Sequence, residues 1–332
     1  MTTTKDYGLA ELNRETGMGG YGEDVDRDIP QIDMSNYFDR KDEITEALWD
    51  AATSIGFFQL TNHGIPQSLI DDAFALSAGF FSLPTEVKEQ YPLKPGTNAG
   101  WEYMAQVRPS TGTADRKESY QITLPRMREL WPTGEEIFGF KETMLAFERH
   151  NWAVSMKVLD CFASRLSFPP GFFTDGHNPD TPEYQSTLRL IHYLGMEDAK
   201  PEDFKFWRAG AHTDFDCLTL LHQKQGQGGL QLCPGKDENG HATQWTDVPP
   251  LGGVITCNIG DMLMRWSDDR LLSNLHRVRM PKPTEYLGPR YSIAYFAQAN
   301  MDTMLAGPEG KYEAMSAHDY IQMRLGANFR KS

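Results

Sequence analysis

Thr187-Leu-Arg-Leu-Ile-His-Tyr193 is where the chain changes character: from Thr187 onward the apolar residues recur with a period of two. That period is the mark of a strand, because successive side chains point to opposite faces. The spacing predicts strands over 187–194, 218–223, 229–232, 244–248, 254–258, 262–265, 276–279 and 291–297, separated by Gly, Pro and Asp clusters. Short, closely spaced strands without intervening helices point to an antiparallel barrel or sandwich, and away from a βαβ fold.

Upstream of Thr187 the pattern is mostly helical. A short strand at Ile29–Asp33 precedes a helix over 41–54, with Ile44, Leu48, Ala51 and Ala52 on one face and Gly56 at its end. A second strand, Phe57–Leu60, runs into the turn Asn62-His-Gly-Ile-Pro66, followed by a helix over 68–81. Residues 92–118 are rich in Gly, Pro, Thr and charge and read as a long loop, with Trp101 and Tyr103 as weak substrate-contact candidates. Phe138, Met144, Phe147, Trp152, Met156, Leu159 and Phe162 then mark one long helix over 134–167, stopped by Pro169-Pro-Gly171. A last amphipathic stretch near Ala317–Leu325 predicts a helix packed back on the body.

The 332 residues carry 46 acidic and 32 basic side chains, a formal charge of −14. That balance argues against a nucleic-acid or anionic-membrane binder, which needs a basic face. No apolar run is long enough to span a bilayer. Residues 1–27 read as a flexible, Gly-rich leader without the apolar core of a secretory signal, so the cytoplasm is the expected compartment. Cys161, Cys217, Cys233 and Cys257 are isolated, with no Cys-x-x-Cys pair, and four reduced thiols are expected.

The chemistry concentrates in His212-Thr-Asp214. On an extended strand, residues i and i+2 share a side, roughly 6–7 Å apart, so an imidazole and a carboxylate converge. His276, in Ser273-Asn-Leu-His-Arg-Val278, is the candidate third ligand, returning from across a barrel. Two histidines and a carboxylate make a facial triad that leaves adjacent coordination positions open, as in non-haem Fe(II) oxygenases. A His-x-Asp by itself is equally a surface pair or a core hydrogen bond. Arg290-Tyr-Ser292 adds a guanidinium fork and a hydroxyl on one face, suited to a carboxylate, although a lone Arg-x-Ser is also a surface ion pair.

With these residues in view, the chain from residue 28 onward resembles the iron- and 2-oxoglutarate-dependent dioxygenases of the isopenicillin N synthase-like family. The resemblance rests on Ile29-Pro-Gln-Ile-Asp33, Gly56-Phe-Phe-Gln-Leu-Thr-Asn-His-Gly-Ile-Pro66, Phe81-Ser-Leu-Pro84 with Lys88, and Asp115-Arg-Lys-Glu118. It rests further on His212-Thr-Asp-Phe-Asp-Cys-Leu-Thr-Leu-Leu221, Gly229-Leu-Gln-Leu232, Asn258-Ile-Gly-Asp261, Ser273–Val278 and Arg290–Ser292. It implies a mainly β fold with a helical flank, a double-stranded β-helix (jelly-roll) core with N-terminal and connecting α-helices. As a single domain over 28–332, this would comprise a helical and strand part (28–180), the jelly-roll core (187–300) and a C-terminal helix (316–329). By the same resemblance His212, Asp214 and His276 bind Fe(II), while Arg290 and Ser292 bind the C5 carboxylate of 2-oxoglutarate. Tyr193 would reach the same carboxylate. Relatives often carry Asn-Tyr-Tyr-Pro-Pro here, and Ile191 replaces the asparagine that contacts the keto acid in some of them.

Substrate contacts are expected from Phe296, on the face of Arg290 and Ser292, from Phe215 beside Asp214, and from Arg189, which faces the interior with Tyr193. Each has a plainer reading, as core aromatics and a structural ion pair. The remaining histidines, His63, His150, His177, His192, His222, His241 and His318, are read as structural, solvated or hydrogen-bonded. The implied reaction couples oxidative decarboxylation of 2-oxoglutarate by dioxygen to hydroxylation of a small organic substrate, or to its desaturation or ring closure. Ascorbate would be an optional reductant. The alternatives are a family oxidase that dispenses with 2-oxoglutarate, as isopenicillin N synthase and the ascorbate-using ethylene-forming oxidase do. A metal-dependent hydrolase and a non-catalytic jelly-roll binding protein are more remote. The expected partner is a small molecule, with neither nucleic acid nor membrane.

Overall fold

A computed structural model describes residues 23–106, 114–197, 207–233 and 244–329. The chain opens with strands β1 (Glu23–Asp24) and β2 (Gln31–Asp33), helix α1 (Lys41–Ser54), strand β3 (Phe57–Thr61), and helices α2 (Gln67–Phe81) and α3 (Thr85–Lys88). Strands β4 (Gly100–Tyr103) and β5 (Lys117–Ile122) follow, then helices α4 (Phe140–Arg165) and α5 (Phe172–Gly176). The core strands are β6 (Thr187–Tyr193), β7 (Ala209–His212), β8 (Leu218–Gln223), β9 (Leu230–Cys233), β10 (Gln244–Asp247) and β11 (Ile255–Ile259). After helix α6 (Asp261–Trp266) come β12 (Leu275–Val278), β13 (Arg290–Ala297), the short pair β14 (Met304–Leu305) and β15 (Met315–Ser316), and helix α7 (Ala317–Phe329).

The strands form two facing sheets. The larger runs β2-β3-β11-β8-β13-β6-β5-β4 and the smaller β1-β10-β9-β12-β7. Alternation assigns each side chain to a layer. Outward residues of the larger sheet (Leu188, Leu190, Leu218, Leu220, Ile293, Tyr295) join the apolar faces of α1, α2 and α4 in one large core. Inward residues (Ile191, Tyr193, Ala294) meet Ala209, Leu230, Leu232 and Val278 of the smaller sheet in a second cluster, together with Phe57. This is the jelly-roll with a helical flank that the strand pattern and the resemblance imply. Gly56 makes the α1–β3 turn possible: its φ is +70°, and a Cβ there would stand 2.1 Å from the carbonyl oxygen of Leu272.

Several local expectations are corrected. Residues 262–265 lie in helix α6, not a strand; Met-Leu-Met-Arg has no alternation, and a short apolar run does not declare its period. The long helix starts at Phe140, after Gly139 in the left-handed region (φ 73°), leaving Phe138 91% exposed. The 92–118 loop contains β4, which extends the larger sheet by pairing with β5; residues 107–113 of it lie outside the described residues. Of the leader, residues 1–22 lie outside them too, as does His241. Glu23–Arg27 is tied down: β1 pairs in parallel with β10, and Arg27 Nη2 donates to Gln244 Oε1 at 2.6 Å. An otherwise open sheet edge supplied the partner that composition does not reveal. All four cysteines are buried and none is in a disulfide. No helix among the described residues is long and apolar enough to cross a membrane.

Candidate active site

β7 and β12 are hydrogen-bonded neighbours with His212 and His276 as direct partners across the ladder. The two imidazoles therefore stand side by side on the smaller sheet, ring centroids 4.3 Å apart, rather than meeting from opposite walls. Asp214 is not on the strand at all. β7 ends at His212, and the following turn brings the carboxylate back, with Oδ1 3.9 Å from His212 Nε2 and Oδ2 3.6 Å from His276 Nε2. The ligand atoms of all three lie within 4.8 Å of one another.

Each member is oriented by a neighbour. His212 Nδ1 lies 2.7 Å from Gly210 O, and His276 Nδ1 is 3.4 Å from Asn274 O. A carbonyl can only accept, so each Nδ1 donates and each ring turns its Nε2 toward the cluster. Asp214 Oδ2 accepts from Thr219 Oγ1 (2.7 Å) and Asn258 Nδ2 (2.9 Å). Burial would raise the Asp214 pKa, but His276, His212 and these two hydrogen bonds outweigh it and hold it down to about 2. Thr219 and Asn258 are partners on β8 and β11. The aspartate is thus fixed from the larger sheet and the histidines from the smaller. Phe57 closes the site with its ring edge-on to His276 at 5.8 Å. Gly260 leaves room for the Asp214 turn, since a Cβ there would fall 2.1 Å from Asp216 O.

Opposite, β13 and β6 are antiparallel partners, pairing Arg290 with Tyr193, Ser292 with Ile191, and Ala294 with Arg189. The inward face of β13 therefore reads Arg290, Ser292, Ala294, Phe296. Arg290 is 1% exposed. Its Nε donates to Gln227 O (2.9 Å), Nη2 to Gln223 Oε1 (3.0 Å) and Nη1 to Ser292 Oγ (3.3 Å). The guanidinium lies over the Tyr193 ring at 4.8 Å. Burial lowers the Arg290 pKa, and Tyr193 offsets part of that. Among the described residues, no carboxylate lies within ion-pair distance of Arg290.

Further along, Arg189 stacks its guanidinium over Phe296 at 4.9 Å and donates from Nη2 to Gln121 Oε1 at 3.1 Å. Gln121 Nε2 in turn donates to Glu102 Oε1 (3.0 Å), which also accepts from Ser119 and Gln106. Phe215, half-buried, sits in the Asp214 turn. Sequence reasoning gave no role to Thr219, Asn258, Gln223 or Gln121. Thr219 and Gln223 share the inward phase of β8 and Asn258 that of β11, whereas Gln121 follows only from the pairing of β5 with β6. Among the remaining histidines, His222 Nε2 lies 2.7 Å from Asn151 Oδ1 and His192 Nδ1 2.8 Å from Glu118 Oε1, which binds both rings into the scaffold.

The donor set of two imidazoles and an ionised carboxylate suits a divalent transition metal with open positions. Across from it lies Arg290, buried and without a carboxylate in ion-pair distance among the described residues. Such an arrangement suits an enzyme that holds a metal beside an anionic co-substrate. Residues 29–134 match the family model described as the non-haem dioxygenase in morphine synthesis N-terminal region, and 184–299 match the 2OG-Fe(II) oxygenase superfamily. A proline hydroxylase of Petromyces alliaceus is 32% identical, covering 90% of this chain and 98% of its own. A full-length Neurospora crassa protein, crystallised in complex with alpha-KG and thymine, is 31% identical with a TM-score of 0.78, covering 92% of this chain and 99% of that one. The complex of the same protein with alpha-KG and 5-formyluracil gives 32% and 0.77, covering 91% and 98%. The chain belongs to the isopenicillin N synthase-like family of 2OG-Fe(II) oxygenases. It is an oxidoreductase that uses Fe(II), 2-oxoglutarate and dioxygen.

Proposed function

We propose that His212, Asp214 and His276 hold the iron, that Arg290 and Ser292 with Tyr193 receive the distal carboxylate of 2-oxoglutarate, and that Arg189, Phe296 and Phe215 face the primary substrate. Arg290 carries this reading. A buried guanidinium facing no carboxylate among the described residues is costly unless an anion from outside completes it. A diacid anchored there has its other end directed at the wall bearing the two histidines.

The overall balance is one substrate C–H, one dioxygen and one 2-oxoglutarate going to one hydroxyl, one succinate and one carbon dioxide. Bound iron would supply the redox chemistry with dioxygen that side chains lack. The chain's own residues do the rest. The carbonyls of Gly210 and Asn274 hold the Nδ1 protons of the two histidines, keeping both Nε2 atoms available. Thr219 and Asn258 occupy Oδ2 of Asp214 and thereby present Oδ1. Ile191, Ala294, Leu230 and Val278 exclude water between the sheets.

Arg189 over Phe296 favours a compact, flat substrate with a carbonyl or carboxylate oxygen toward the guanidinium. Thymine and 5-formyluracil, bound by the Neurospora relative, have that character. Succinate release should rise above the substrate-free level with small oxo-substituted heterocycles or amino acids, and Arg189→Met should raise KM by about tenfold to a hundredfold. Stimulation by apolar terpenoids alone, indifferent to Arg189→Met, would contradict the substrate class. Turnover without any succinate would favour a 2-oxoglutarate-independent oxidase.

A further inference from the structure

Helix α7 buries Ala317, Tyr320, Ile321 and Arg324, the i, i+3, i+4, i+7 stripe of a core-facing helix. The last of these is an arginine at 0% exposure, where an apolar residue is expected. Its Nη2 lies 2.5 Å from Asp261 Oδ2, both side chains fully buried. The same Nη2 reaches Thr213 Oγ1 at 3.4 Å, and Thr213 Oγ1 donates to Asp261 Oδ2 at 2.8 Å. The guanidinium also lies over the Phe215 ring at 4.5 Å. Arg324 therefore touches the residues immediately before and after Asp214.

The turn is held from below as well. Asp261 N donates to Asp214 O (2.8 Å), Met262 N to Asp216 O (3.1 Å) and Gly260 N to Cys217 O (3.1 Å). These bonds fix the backbone of 214–217 on the start of α6. They leave Thr213 and Phe215 side chains to be set by something else, and Arg324 contacts both.

We infer that Arg324 is a positioning residue of the metal centre: through Thr213, Asp261 and Phe215 the C-terminal helix locks the turn that aims Asp214 at the two histidines. The inference rests on the ligand assignment proposed above. A buried ion pair is a poor source of net stability compared with apolar packing of the same shape. Its geometry is nonetheless well suited to specifying one conformation of a turn. The helix thus acts on the site although none of its described side chains joins the metal-ligand cluster.

Co(II) titration of the full-length apo-protein tests this, following the d–d absorption band and its affinity, with thermal unfolding of the metal-free protein alongside. The variants are Arg324→Met, Arg324→Lys, the pair Arg324→Met/Asp261→Asn, and Asp214→Ala. The paired variant removes both buried charges, so its metal-free fold is expected to survive even where Arg324→Met alone does not. Both it and Arg324→Met should bind Co(II) about tenfold or more weakly, with an altered band, and Arg324→Lys should fall between them and the parent. Parent-like affinity and spectrum in the paired variant would overturn the inference. Parent-like binding by Asp214→Ala would instead overturn the ligand assignment itself, so the two failures are distinguishable.

Discussion

Replacing Arg290 by methionine tests the proposed co-substrate site most sharply. The guanidinium makes three hydrogen bonds, to Gln227 O, Gln223 Oε1 and Ser292 Oγ, and is 1% exposed. Methionine fills similar volume but donates nothing. Deleting one member of a buried, hydrogen-bonded charge pair costs about 2–5 kcal/mol of binding. At about 1.4 kcal/mol per tenfold, that is a loss of roughly thirty- to several-thousand-fold in 2-oxoglutarate affinity. Arg290→Lys keeps the charge but loses the fork and the stacking on Tyr193, and should fall between. Calorimetric titration of 2-oxoglutarate into Mn(II)-loaded protein reads this without turnover. Metal binding itself should change little, because Arg290 is on the sheet opposite the histidines. Undiminished 2-oxoglutarate affinity in Arg290→Met would refute the reasoning.

Two further predictions concern the scaffold. Glu148, 1% exposed, accepts from the Tyr184 hydroxyl, and burial pushes its carboxyl up to about 7 from 4.5. With the folded pKa the higher one, the folded state holds the extra proton between those values. Stability therefore falls as pH rises through that window and stays reduced above it. Glu148→Gln should raise unfolding free energy by about 3 kcal/mol at pH 8, with much less gain at pH 5, measured by urea denaturation. An equal gain at both would show that Glu148 does not titrate there. Lys88 donates to Glu118 Oε2 at 2.8 Å with side-chain exposures of 8% and 3%, while Trp101 Nε1 and His192 Nδ1 also contact that carboxylate. Lys88→Met should cost about 3–5 kcal/mol, and adding Glu118→Gln should recover most of it. A cost below about 1 kcal/mol for the single change would contradict this.

The core strands from Thr187 were legible because one face of each is apolar and the period survives. The same rule failed at Met262–Arg265, where a run of apolar residues too short to show a period folds as a helix, and Gly139 moved a helix start that the apolar spacing alone placed earlier. The three candidate ligands were legible as residues that converge, but the geometry of their convergence was not. Spacing alone puts His212 and Asp214 at two positions of one strand, whereas the strand ends at His212 and a turn stitched to α6 returns Asp214. His276 was expected from across the barrel and stands on the adjacent strand, because register is fixed by pairing partners that sequence spacing does not contain. Arg324 was invisible for a related reason. An arginine on an amphipathic helix reads as solvated until its partner, 63 positions earlier at Asp261, is known to face it.

The central claim is tested most directly by a crystal structure grown without oxygen in the presence of Mn(II) and 2-oxoglutarate. One metal peak is expected, bonded to His212 Nε2, His276 Nε2 and an oxygen of Asp214, with the keto acid reaching from it to Arg290 and Ser292. A metal bound elsewhere, or a co-substrate whose distal carboxylate avoids Arg290, would contradict it.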